Sequence, residues 1–307
     1  MFQATLLLLG ALSLSNSLVA AVPAPKENYP YSEPYDCLRK NNVPAYVPGT
    51  PEYDTLSQPF NLRVAYEPYA VVVPDTENQI SLAILCARYS GFTVQAKSGG
   101  HSYASFSLGG KNGTALVIDL QKFHRVELQG NGVAKIGAGN RLGDVADALY
   151  RQGKRALPHG TCLGVGVGGH STHGGYGHTS RNWGVMLDTI VKVDMVLPNG
   201  TITSASADQN SEIFWAVRGA ADSFGVITNF YMQTQPAPEK IVFFAITFNN
   251  VFQDKATFTN AVLHLQDFGR DAEFVDNRFS MGMNFNGSNF LLAGNFFGDI
   301  DDFNNRV

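Results

Sequence analysis

From Tyr69 onward, short apolar runs alternate with polar, glycine-containing turns, and their spacing predicts most of the elements. AVVVP (70–74) is apolar without alternation, the mark of a strand buried on both faces. TENQISLAILCARYSG then repeats apolar residues at helical spacing, opened by the box Thr76-x-x-Gln79 and stopped at Gly91. FTVQAK (92–97) is the next strand, and strand–helix–strand predicts parallel pairing with a right-handed crossover. ALVIDL (115–120) is a further strand. VELQ-GNG-VAKIGAG reads as a hairpin and RLGDVADALYRQG as a helix with Leu142, Val145, Ala146 and Leu149 on one face. TIVKVDMVL-PNG-TITSAS predicts another hairpin, EIFWAVRG a short helix and FGVITNFYM a strand.

Residues 22–65, rich in Pro, Tyr and Asn, predict an extended lead-in. TQPAPEK (234–240) breaks the pattern with two prolines, so boundaries are expected at 66–237 for one domain and 238–307 for a second. In the latter, IVFFAITF is a strand, KATFTNAVLHLQDFG a helix, and FSMGMNF-NGS-NFLLAGNFF a long hairpin turned at Asn286-Gly287. DIDDFNNRV opens a last helix. One helix and three strands, cut at a helix start, read as an incomplete antiparallel-sheet domain.

The first residues change the picture of where this chain works. An apolar stretch from Leu6 to Leu14, followed by Val19, Ala20 and Ala21, reads as a signal peptide over 1–21 and predicts secretion. Sequons at Asn112, Asn199 and Asn286 fit that route, although Asn-Gly is also ordinary turn chemistry. No later segment is apolar for long enough to span a bilayer. A net charge of −4 gives no sign of a nucleic-acid partner. In an oxidising compartment, Cys37 and Cys86 are the plain pair, closing a loop worth roughly 4 kcal/mol on the chain-entropy account. Cys162 is then left over.

That cysteine lies in HGTCLGVGVGGHSTHGGYGH (159–178), with His159, His170, His173 and His178. Three chemistries compete for the stretch. A metal site is disfavoured: the histidines follow no zinc spacing, and glycines on every side hold ligands poorly. Gly164-Val-Gly166-Val-Gly168-Gly169 satisfies the dinucleotide fingerprint, with Asp188 downstream, but neither the strand before it nor the helix after it is predicted. The third is a site shared with Ser98-Gly99-Gly100-His101-Ser102, a strand-end loop whose backbone N–H groups can face one anion. Taken alone, that loop is equally a flexible turn.

AKSGGHSY (96–103) and HGTCLGVGVGGHSTHGGYGHTSRNWGVMLD (159–188) together resemble the secreted berberine-bridge-enzyme-like flavin oxidases, and within them the fungal glucooligosaccharide and chitooligosaccharide oxidases. The resemblance runs from about Cys37 to the last residue. It implies an α+β chain: a PCMH/VAO-type FAD-binding domain of two α/β subdomains, then the incomplete antiparallel-sheet substrate domain. It further implies FAD held by two covalent bonds, from His101 to the 8α-methyl and from Cys162 to carbon 6. Ser98, Gly99, Gly100 and Ser102 would line the cofactor, as would Thr161, Gly164, Gly166, His170 and Tyr176. Gly225, Val226 and Ile227 would hold the adenosine end, and Tyr103 would stack on a sugar ring. The implied reaction takes a hydride from the anomeric carbon of an oligosaccharide to flavin, giving a lactone, and dioxygen then yields hydrogen peroxide. The general base, a tyrosine in the family, is expected beyond Val307, and the protein is expected to be a monomer. A flavin oxidase of secondary metabolism and a catalytically silent flavin- or sugar-binding remnant are the other readings.

Overall fold

The computed structural model describes residues 33–307 except Asn112, Asn286, Ser288 and Asn289. The leader at 1–21 and the sequons at Asn112 and Asn286 therefore lie outside the described residues. Asn199 is exposed, in the turn where its Oδ1 accepts from the Thr201 amide.

The first sheet holds β1 (Ala45–Tyr46), β2 (Ala70–Val72), β3 (Thr93–Lys97) and β4 (Ala115–Asp119), in the order β1-β2-β4-β3. The strand–helix–strand unit is parallel, but β2 and β3 are not neighbours: each pairs with β4, which is buried along its whole length. Apolar runs specify strands but not who sits beside whom, and the later strand takes the centre. Thr76 caps the intervening helix α3 (Glu77–Tyr89), accepting from the Gln79 amide, while Gln79 reaches back to the Asp75 amide.

The predicted lead-in is more structured than its composition suggests. It forms α1 (Pro34–Lys40) and α2 (Tyr53–Leu56) and buries Leu38 and Tyr53. Both helices are too short to carry a periodic signal. Tertiary contacts hold them, including a Cys37–Cys86 disulfide that ties α1 to α3 across 5.7 Å between Cα atoms.

The second sheet is antiparallel throughout: β5 (Val126–Leu128), β6 (Val133–Gly137), β8 (Ile190–Val196), β9 (Ile202–Ser206) and β10 (Val226–Gln233), ordered β5-β6-β10-β8-β9. Helix α4 (Leu142–Gly153) lays Leu142, Val145 and Leu149 onto it, with Ala146 half-buried. Two short strands pair, β7 (Arg155–Ala156) just after α4 and β11 (Gln235–Pro236) in the proline-rich segment. One continuous apolar core joins both sheets, from Leu38 and Ile80 to Ile136 and Phe230.

Three helices follow the sheets' loops: α5 (Val167–Thr172), α6 (Ser180–Trp183) and α7 (Ser211–Ala220). The last sheet is β12 (Val242–Phe248), β13 (Phe279–Phe285) and β14 (Phe290–Phe296), with β14 central. Helix α8 (Lys255–Arg270) covers one face, and α9 (Ile300–Asn304) closes the chain. A separate core of Phe244, Val275, Phe279, Leu292, Phe296 and Phe303 sits here. Among the described residues, no helix is long and apolar enough to cross a membrane.

Candidate functional site

The two glycine-rich segments meet where the two sheets converge. Lys97, the last residue of β3, is half-buried, 3.0 Å from the buried Asp119, and donates to the Leu56 carbonyl, so the loop that follows starts from a fixed point. Ser98 then bonds the Ala138 carbonyl and accepts from the Gly168 amide at 3.1 Å, reaching the other segment. Gly99 and Gly166 lie backbone to backbone: a Cβ on Gly99 would come within 2.3 Å of the Gly166 nitrogen, and one on Gly166 within 2.0 Å of the Gly99 nitrogen. These glycines are there because the two main chains touch.

A cavity of about 450 Å³ opens beside this contact, walled by Ser98, Gly99, Gly100, His101 and Ser102 on one side and Gly166, His170, Gly225 and Ile227 on others. A second, of about 860 Å³, shares Gln95, Ala96, Asp222 and Gly225 with it and adds Val226. Of the residues expected around a cofactor, these line the space. Thr161, Cys162, Gly164 and Tyr176 are exposed and do not wall either cavity; Tyr176 is 70% exposed. Tyr103 is 72% exposed, at the surface beyond His101.

The His101 ring is stacked on Phe60 with centroids 3.7 Å apart, and Phe60 lies nearly parallel to Tyr103 at 5.6 Å. Asn61 donates to the Tyr103 carbonyl at 2.7 Å, holding that turn. Neither Phe60 nor Asn61 was visible as a site residue, because both sit in the stretch read as lead-in.

The four histidines of the second segment part company. His170 is half-buried, and its Nε2 accepts from the Gly160 amide at 3.0 Å. Burial holds this imidazole below its ordinary range, and His159 beside it pushes the same way, so it stays a neutral acceptor. His159 donates to the Gly160 carbonyl at 2.7 Å. His173 faces Asp222 at 3.7 Å. His178 reaches Ser280 on β13 at 2.8 Å, and Arg181 donates to the Phe279 carbonyl, so this segment also docks the last sheet. The stretch is not loop throughout, since α5 begins at Val167 inside the glycine run. Helix propensity hides it: Gly168 and Gly169 are poor formers, and the turn persists through packing. The preceding residues form no strand beyond the Arg141–Gly166 bridge, which leaves the dinucleotide fingerprint without its strand.

Comparisons with known proteins agree with this geometry. An FAD binding domain family matches residues 68–206. The FAD-linked oxidoreductase dpmaF of Metarhizium anisopliae is 44% identical over 263 residues, 86% of this chain and 50% of that protein. A chitooligosaccharide oxidase of Gibberella zeae is 41% identical over 263 residues, 86% of this chain and 52% of its own. The glucooligosaccharide oxidase of Acremonium strictum with a 6-S-cysteinyl, 8α-N1-histidyl FAD matches with a TM-score of 0.83 at 34% identity, covering 89% of this chain and 56% of that one. The chain spans about half the length of the curated relatives it matches. By sequence and by fold, the chain carries an FAD binding domain and is similar to FAD-linked oxidases of the berberine-bridge-enzyme-like group and to fungal oligosaccharide oxidases.

Proposed function

We propose that this chain holds FAD through His101 and Cys162 and serves a secreted oxidase that acts on the reducing end of oligosaccharides. The observation that carries the reading is the contact of the two segments: Gly99 and Gly166 touch, and the residues two before His101 and four after Cys162 thereby share one position. The residues fit the cofactor. A cradle that a single Cβ would fill leads into two cavities with shared walls, large enough together for an extended dinucleotide.

When bound, the flavin supplies a hydride acceptor that dioxygen reoxidises to give hydrogen peroxide. The chain's own part is to hold and to present. Ser98 to Ser102 wall the cavity, and backbone amides of this loop would suit a diphosphate. Gly225, Val226 and Ile227, at the start of β10, also line these cavities and would hold the adenosine end. His101 keeps one ring face against Phe60, and Tyr103 offers an exposed aromatic face on which a sugar ring stacks. Removal of the anomeric hydroxyl proton is worth roughly 10²–10⁴-fold in such chemistry, and no residue described here is assigned that role. The division at 237/238 into a cofactor domain and a substrate domain is part of this proposal, as is secretion.

Peroxide release decides the substrate class. With cellobiose, maltose and chitobiose, at least one sugar is expected to release peroxide while its reduced alditol does not. Protein that carries flavin yet releases none from any sugar would turn the assignment away from sugar oxidation, toward a flavin oxidase of secondary metabolism or a catalytically silent flavin-binding remnant. The relative named only as an FAD-linked oxidoreductase keeps that outcome in view.

A further inference from the structure

Arg141 stands one residue before α4, and a single guanidinium nitrogen serves both segments of the site. Its Nη1 donates to the carbonyl of Gly99 and, at 2.7 Å, to the carbonyl of Gly164. Gly99 is two residues before His101, and Gly164 is two residues after Cys162. The main chain around Arg141 is zipped to the second segment as well. Leu142 donates to Val165 at 2.9 Å, Gly143 to Leu163 at 3.1 Å, and the Val167 amide donates back to Asn140. The backbone of 140–143 thus fixes the Cys162 segment, and the Arg141 side chain carries that frame across to the His101 loop. Ser98 makes the other crossing, but to Gly168, further along the chain from Cys162.

We propose that Arg141 is a positioning residue for flavin attachment, setting the separation of His101 and Cys162 so that both bonds form on one ring. The inference rests on the flavin reading above. Each attachment replaces a flavin C–H by C–N or C–S. The hydrogen of the imidazole or thiol and that of the flavin carbon leave together, with the two electrons, on dioxygen as hydrogen peroxide. The first bond needs only one nucleophile in reach, whereas the second needs the other loop already in register. A planar guanidinium suits this strap, because its rigid fork of donors holds the two carbonyls it bonds at a fixed separation. A misplacement near 1 Å can slow a step by about 10²-fold.

The test is the share of flavin-bearing protein that carries both links, read by mass spectrometry of digested, acid-precipitated protein. In Arg141→Met that share is expected to fall at least about tenfold, with singly linked flavin taking its place. Arg141→Lys should lie between, and added guanidinium should restore Arg141→Ala. A residue that only stabilised the fold would lower yield and leave this share unchanged, and an unchanged share in Arg141→Met overturns the proposal. Should Arg141→Met give no folded protein, Arg141→Lys decides: a slower second link supports the strap, and a wild-type rate overturns it. Wild-type protein with no acid-stable flavin would instead sink the flavin reading, and the strap with it.

Discussion

Two of this chain's hydrophobic cores, the one joining the first two sheets and the one in the last sheet, differ in depth. The first runs continuously through both sheets, with Ile80, Leu116, Ile136, Leu142, Leu149 and Phe230 at most 1% exposed. The second is a phenylalanine cluster to which the short α9 gives Phe303, while the longer α8 buries no residue fully. Its sheet leaves Phe243 72% exposed on the edge strand β12. The site follows that division. Both loops that carry the candidate attachment residues spring from the deep core, where a rigid frame sets geometry. The last sheet is fastened to them through contacts such as His178 to Ser280, Arg181 to the Phe279 carbonyl and Asn277 to Asn182.

The sharpest way to break the comparison is to empty each core in turn. Phe230→Ala, on the central strand β10, is expected to cost about 3–5 kcal/mol and to lower the main thermal transition. Phe296→Ala removes the same ring from a site that collapses more readily, so it should fall near the lower end, about 3 kcal/mol, in a transition that leaves the first core folded. Calorimetry of both variants checks this, and a single merged loss in each would refute the separation.

Acid sharpens the comparison more gently. His170 is held neutral below its ordinary value of 6.5, so the stability it contributes is whole above that pH and is lost as pH falls through its lowered value. The last unit responds lower. Burial pushes the Asp276 carboxyl up, but hydrogen bonds and charge from Arg278, with Arg306, prevail and hold it below 3.8. Arg306 and Arg278 lower Asp302 likewise. The contribution of both carboxylates is present above the carboxylate range and lost as pH falls through their lowered values. Hydrogen exchange across pH 7 to 3 should therefore loosen the Gly160 segment before the Asp276–Arg278–Asp302 network opens. The reverse order would contradict the assignment of His170 as an acceptor.

Much of this fold was legible in the sequence. The apolar runs marked β2, β4 and β10, the Thr76 box opened α3, and the cysteine count left Cys162 over. What escaped is what the chain shows only in three dimensions. Placing β4 between β2 and β3 is a choice of neighbours that no single run encodes. Helix α5 is masked by its own glycines, and α1 and α2 by a Pro- and Tyr-rich composition. Arg141 looked like a residue at a helix start, and nothing local says that its guanidinium spans two carbonyls far apart in sequence. Phe60 lay hidden for the same reason, since its partner His101 is remote in the chain.

The central claim is that His101 and Cys162 hold one flavin between them, and acid precipitation tests it directly. Flavin absorbance is read in pellet and supernatant for the wild type, His101→Ala, Cys162→Ala and the double variant. The account predicts a yellow pellet for the wild type and for each single variant, with free flavin only when both residues are changed. Flavin released from the wild type into the supernatant, or one single change that frees it all, would contradict the account.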